Sequence, residues 1–138
     1  MNVLVDTSVW SQALRHRNVD EESSEVRELR ELVGEGAAML IGPVRQELLS
    51  GIKHAHQFEG LRDLLRAFPD VDLATGDFER AAEFFTACRK RGVQGSNTDF
   101  LICAVSERLR APIFTLDEDF QHFATVIPIA LHRCRFGE

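Results

Sequence analysis

The sequence predicts an α/β domain with a mostly parallel sheet and helices on both faces. Short apolar runs at Asn2–Val5, Ala37–Ile41, Ile113–Leu116 and Val126–Leu131 are bounded by turn-forming residues, as buried strands are. Between them lie longer segments whose apolar residues recur at helical spacing. The length of 138 residues fits a single domain covering 1–138. With 44% hydrophobic and 28% charged residues, disordered and collagen-like architectures are excluded.

Each element has a local reason. Asn2–Val5 ends at Asp6-Thr7-Ser8, whose small oxygen-bearing side chains suit a helix N-cap, so a helix is expected from Thr7 to His16. Asn18–Ser24 is polar and acidic; after it Val26, Leu29, Leu32 and Val33 mark a second helix, closed by Gly34 and Gly36. Ala37–Ile41 reads as a strand, and Gly42-Pro43 opens a helix with Val44, Leu48 and Ile52 on one stripe. A further helix is expected over His54–Phe68, ended by Pro69, then a short strand at Val71–Leu73. Phe78, Ala81, Ala82, Phe85 and Cys88 predict a helix running to Arg89-Lys90-Arg91 and stopped near Gly92. Asn97–Leu109 is a helix with a deeply apolar middle, broken by Ala111-Pro112. Ile113–Leu116 is then a buried strand, Asp117–Ala124 a short helix, and Val126–Leu131 a last strand that Pro128 assigns to an edge.

Composition narrows the function. The net charge of −6 disfavours a simple electrostatic clamp on a polyanion and fits a nucleic-acid enzyme only if metal ions neutralise the site. Cys88, Cys103 and Cys134 show no metal or redox spacing and read as reduced core thiols. There is no leader-like segment and no apolar run approaching ~18 residues, so a soluble, unprocessed, cytoplasmic protein with no membrane partner is expected.

In parallel sheets, ligands gather at the carboxyl ends of the strands. Asp6 follows the first strand, Glu47 lies in the helix after the second, and Asp117 and Asp119 follow Ile113–Leu116. Asp99 sits in the first turn of the helix opened by Ser96-Asn97-Thr98. Singly, each Asp is accounted for as a helix cap, and Glu47 as part of a solvated face. A lone carboxylate near the Val44/Leu48 stripe would nonetheless be costly. Converging carboxylates repel one another unless a cation neutralises them. An all-carboxylate site suits Mg²⁺ or Mn²⁺, and the chemistry expected of it is metal-assisted phosphodiester hydrolysis.

The segments Val3-Leu4-Val5-Asp6-Thr7-Ser8-Val9-Trp10, Gly42 to Gly51 around Glu47, Asn97-Thr98-Asp99-Phe100-Leu101-Ile102 and Thr115-Leu116-Asp117-Glu118-Asp119-Phe120 together resemble PIN-domain ribonucleases, specifically the VapC-type toxins of bacterial toxin–antitoxin pairs. The resemblance spans nearly the whole chain. It implies a three-layer α/β/α sandwich in which Asp6, Glu47, Asp99 and Asp117 are catalytic and bind Mg²⁺ or Mn²⁺. It also implies that Asp119 is a further metal ligand or neighbour and that Thr115 supports the site through its hydroxyl. Thr7 and Ser8 are expected to cap the first helix. Asn97-Thr98 stands where the family often carries Pro-Asn. Similar proteins cut RNA, are silenced by a cognate antitoxin and commonly form homodimers.

Competing readings are a non-catalytic PIN-like module that binds protein or RNA, a DNA-directed nuclease, and a receiver domain. The last lacks the second acid after the first strand and the late Lys it would need. Gly34-Glu35-Gly36 lacks the third glycine of a dinucleotide loop, and His54, His56, His132 and Cys134 lack zinc-site spacing. Arg15, Arg17, Arg45 and Arg89-Lys90-Arg91 are solvated cations or contacts to a phosphate backbone. The helices around Ala55–Phe68 and Phe78–Cys88 are candidate partner surfaces.

Overall fold

Val3, Leu4 and Val5 form strand β1 (Val3–Val5), and all three are fully buried. Successive side chains of a strand point to opposite faces, so a strand with no exposed residue must be covered on both. This chain is described by a computed structural model over residues 2–15 and 22–136. The expected end of the first helix at His16, most of the acidic stretch before Ser24, and Arg17 lie outside the described residues, as does the side chain of Arg15.

The order is β1, α1 (Thr7–Arg15), α2 (Ser24–Gly34), β2 (Ala38–Met39), α3 (Gly42–Leu49), α4 (Ala55–Leu65), α5 (Thr75–Lys90), α6 (Asn97–Leu109), β3 (Ile113–Phe114) and α7 (Asp119–Ala124). The sheet is parallel in the order β2-β1-β3. Single parallel bridges, Leu40 to Asp70 and Ile113 to Leu131, extend both edges. The helices pack in two groups, α1 to α4 and α5 with α6, giving helix, sheet and helix layers as expected. Among the described residues no helix is long and apolar enough to cross a membrane.

Several boundaries differ from expectation. The strand predicted at Val71–Leu73 reduces to the bridge at Asp70, after which Val71 N–H still donates to Leu40 O at 3.0 Å. The strand predicted at Val126–Leu131 survives only as the bridge at Leu131, because Pro128 has no N–H to offer a ladder. β3 stops at Phe114, because Thr115 and Leu116 turn into side-chain hydrogen bonds. α7 begins at Asp119, after Asp117. α3 ends at Leu49 and excludes Ile52; Gly51, at φ +83°, takes the left-handed turn that follows.

Arg45 is not a free cation. It donates to Asp70 Oδ1 at 2.8 Å, to Leu65 O at 2.9 Å and to Phe68 O, capping the carbonyl end of α4. The C-terminal segment is strapped to α2. Glu28, fully buried, meets His132 Nε2 at 2.5 Å and Arg135 Nε at 2.9 Å, while Arg135 also reaches Glu35 at 3.0 Å. Cys134 Sγ donates to Ser24 O at 3.3 Å, and Arg27 lies 4.3 Å over the Phe136 ring. His132 and Cys134 are therefore engaged in holding this strap.

The inward face of α5 is Asp77, Ala81, Phe84 and Cys88, with the predicted Phe85 half-buried beside it, whereas the predicted Phe78 and Ala82 are exposed. Phe78 is 55% exposed. A buried carboxylate sets this rotation. Arg108 of α6 grips Asp77 at 2.7 and 3.0 Å, and Arg80 of α5 grips Glu107 of α6 at 2.7 and 2.9 Å. Burial pushes the Asp77 carboxyl up, but hydrogen bonds from Arg108 and from Ala74 N–H, with the Arg108 charge, hold it below the ordinary value. Its contribution is thus complete above that ordinary value, near 3.8, and is lost as pH falls through the lowered one. Asp77→Ala is expected to cost about 1.5–3 kcal/mol in urea unfolding at pH 7, towards the lower end because Arg108 stays partly in water. That deficit should shrink as pH falls below the ordinary carboxylate range.

Candidate active site

β1 delivers Asp6 to the carboxyl edge of the sheet, where it is 5% exposed. Its N–H donates to Phe114 O at 2.9 Å, fixing it against β3, and its own C=O accepts from Val9 N–H at 3.2 Å as α1 begins. Two hydroxyls converge on Asp6 Oδ2, Ser8 Oγ and Thr115 Oγ1, each donating at 2.8 Å. Among the described residues no hydrogen bond reaches Oδ1.

The segment after β3 is tied to the same point. Leu116 N–H donates to Ser8 Oγ at 2.9 Å and Asp117 N–H to Thr115 Oγ1 at 3.0 Å. Asp119 N–H donates to Asp117 Oδ1 at 2.9 Å, while Asp119 itself is exposed. Thr115 thus orients Asp6 and the Asp117 backbone at once.

Ser8 was expected only to cap α1. Instead it bridges Asp6 and Leu116, and sequence reasoning missed this candidate residue because Leu116 lies 108 positions away. The only local signal was a hydroxyl two positions after an acid. Thr7 also departs from a capping role: its hydroxyl donates to Glu47 Oε2 at 3.2 Å, linking α1 to α3. Glu47 is exposed, so the burial cost expected beside Val44 and Leu48 does not arise.

Asp99 enters from α6 through a reciprocal cap. Its N–H donates to Ser96 Oγ at 3.1 Å, and its Oδ2 accepts from Ser96 N–H at 3.0 Å. Burial is the main cause that raises the Asp99 carboxyl above its ordinary value; the charges of Asp6 and Asp117 push the same way, against the Ser96 hydrogen bonds. Cys103 lies fully buried below. Its thiol is pushed up by burial first and by Asp99 next.

Asp6, Asp99 and Asp117 therefore share one electrostatic neighbourhood, with Asp119 bonded to Asp117 and Glu47 joined through Thr7. Among the described residues no three Asp, Glu, His or Cys side chains close into a ready-made ligand set. The donor chemistry nevertheless fits a hard divalent cation. Every candidate ligand is a carboxylate oxygen, Asp6 Oδ1 has lone pairs to give, and a cation would relieve the repulsion felt at Asp99. Such an arrangement can bind a phosphate-bearing substrate only through a cation, since its own charge repels one.

A family model described as PIN domain matches residues 3–126. No curated protein matches the sequence. Among solved structures, VapBC2 from Rickettsia felis bound to a DNA fragment from their promoter is similar at 19% identity and TM-score 0.72, over 96% of this chain and 98% of that one. VapBC-1 from nontypeable Haemophilus influenzae is similar at 15% identity and TM-score 0.73, over 96% and 97%. A toxin–antitoxin complex from Klebsiella pneumoniae is similar at 19% identity and TM-score 0.67, over 95% and 97%. At these identities the likeness is one of fold.

The environment of Asp99 has a measurable consequence. A carboxyl raised by folding destabilises the native state once it ionises, and the penalty grows as pH rises through the raised value. In chelator at pH 7.5, Asp99→Asn is expected to melt at the same temperature as the parent or higher. Asp6→Ala, which strands the Ser8 and Thr115 hydroxyls, should cost about 1–3 kcal/mol. A large loss in Asp99→Asn would contradict this description of the site.

Proposed function

The chain belongs to the PIN domain family, and on that premise we propose that it is a Mg²⁺- or Mn²⁺-dependent endoribonuclease serving as the toxin of a toxin–antitoxin pair. The observation that carries the reading is the Thr115 hydroxyl, which bonds both Asp6 Oδ2 and the Asp117 N–H and so brings these two acids together at the carboxyl edge of a parallel sheet. In this reading Asp6, Glu47, Asp99 and Asp117 hold the ion, Asp119 joins them as ligand or neighbour, and Thr115 supports the set. Bound there, the cation supplies Lewis acidity to the phosphodiester and lowers the pKa of an attacking water, leaving a 5′-phosphate and a 3′-hydroxyl.

The protein's own part is positioning. Ser8 and Thr115 hold one oxygen of Asp6 with hydrogen bonds and leave the other without a hydrogen-bond partner among the described residues. Ser96 fixes Asp99 at the first turn of α6, so that its carboxylate cannot swing away from its like-charged neighbours. Thr7 holds Glu47 from across α1.

An antitoxin partner is proposed from the similar Klebsiella pneumoniae complex and from a surface feature. A groove of about 360 Å³ between α1, α2 and α4 is lined by residues including Trp10, Leu14, Leu29, Val33, Leu64 and Phe68. Leu64 is 54% exposed there, an apolar surface suited to an amphipathic partner helix. The family resemblance adds a homodimer and a cytoplasmic setting. A non-catalytic module that holds protein or RNA is the competing reading, favoured by the absence of a closed ligand set among the described residues.

The two readings separate in one assay. End-labelled single-stranded RNA and DNA of matched sequence are incubated with the purified chain in Mg²⁺ or Mn²⁺. Cuts selective for RNA are expected, abolished by chelator and reduced at least about a hundredfold in Asp99→Asn. Folded, antitoxin-free protein that cuts no RNA, structured substrates included, would favour the binding module.

A further inference from the structure

A shallow cavity of about 160 Å³ opens at the loop leading into α6, lined by Phe85, Arg89, Val93, Gln94, Gly95 and Phe100. A space of about 150 Å³ accepts one benzene-sized ring, so this open cavity takes in one ring of a base and leaves the rest of the nucleotide at its mouth. Its walls are fixed. The half-buried Phe85 ring meets Phe100 edge-on at 5.5 Å, and Phe100 packs on Phe123 at 4.8 Å. Gly95 makes this stacking possible, because a Cβ there would lie 2.5 Å from Phe123 Cζ and 3.1 Å from Phe100 Cε2.

The rim is polar and its cation is uncommitted. Arg45, Arg80, Arg108 and Arg135 are each paired with carboxylates. Among the described residues Arg89 pairs with none, although it ends α5 in an acidic protein. Complementing the α5 carbonyl end accounts for a positive charge but not for a guanidinium beside an aromatic-walled cavity. The chain from Gln94 to Asp99 can span at most about 17 Å even when extended, which keeps the cavity within a few nucleotides of the carboxylates.

We propose that this cavity is a nucleobase subsite that takes one unpaired guanine of an RNA strand whose backbone crosses the carboxylate edge; it rests on the ribonuclease reading above. Unpaired bases are bound by stacking on aromatic rings and by hydrogen bonds to their edges, and Phe85 offers the ring. Arg89 carries donors only, so it complements an edge with two acceptors. With both edges of an unpaired base free, guanine through O6 and N7 and cytosine through N3 and O2 each present one; guanine has the larger face to stack on Phe85, and the Gln94 amide adds an acceptor and donors for the rest of the edge.

The test is fluorescence anisotropy of the full chain in Ca²⁺, a hard cation for carboxylate oxygens, with labelled U-hexanucleotides that carry a single G, A or C and are checked for cuts after each reading. The G-containing strand is expected to bind about tenfold tighter than the A-containing strand and more tightly than the C-containing one. Arg89→Lys, which keeps the charge but loses the fork, and Gln94→Ala should both bring that preference within about twofold. Equal binding of all strands by the parent protein, or an unchanged preference in Arg89→Lys, would overturn the subsite. Parallel digestion with Mn²⁺ separates the two readings. RNA cleavage without guanine preference defeats the subsite alone, while a guanine preference lost in Arg89→Lys with no cleavage anywhere defeats the ribonuclease alone.

Discussion

Strand β1 is only three residues long, yet it is hydrogen-bonded on both sides and covered on both faces. A parallel strand so enclosed leaves the chain one free direction, out of its carboxyl end, and Asp6 is the residue placed there. Because β3 runs parallel beside it, Thr115 emerges at the same level, and its hydroxyl reaches Asp6 without any excursion of the backbone. The acidic edge is thus a product of strand direction. An antiparallel β3 would have carried Thr115 and Asp117 to the opposite end of the molecule.

Holding acids together costs stability, and the molecule offsets it away from the edge. Asp99 is half-buried near two like charges, whereas α5 and α6 are clasped by Asp77 with Arg108 and by Arg80 with Glu107. Those pairs lie towards the other end of α6 from Asp99. The helix that presents the strained carboxylate is therefore anchored at its far end by two pairs of opposite charge, so local repulsion need not loosen its packing.

Fold class was legible because alternation of apolar runs with helical periodicity is a local signal. The start of α6 was legible for the same reason: Ser96 and Asp99 sit three apart and cap each other. Strand lengths were not. Val71 and Val126 have the composition of strands, but pairing depends on what stands opposite, and Pro128 and the turn after Asp70 leave single bridges. The inward face of α5 was misjudged because apolar spacing ignores a buried acid whose partner, Arg108, comes from another helix. Among the candidate site residues the acids are visible by their position after the strands. Ser8 could not, since its role exists only once Leu116 and Thr115 have arrived from the far end of the chain.

The strap of the last residues on α2 bears on how the protein is made. Glu28 has no exposed surface, and its partners His132 and Arg135 lie 104 and 107 residues later. At ~5–20 residues per second, the ribosome delivers Arg135 roughly 5–20 s after Glu28 has been joined to the nascent chain. Until then α2 cannot bury its carboxylate at low cost, β1 has lacked β3 for most of that time, and Asp6 and Thr115 have not met. A chain still being translated therefore carries its early acids long before it can assemble them, because the acidic edge forms only once Thr115 and Asp117 have been added.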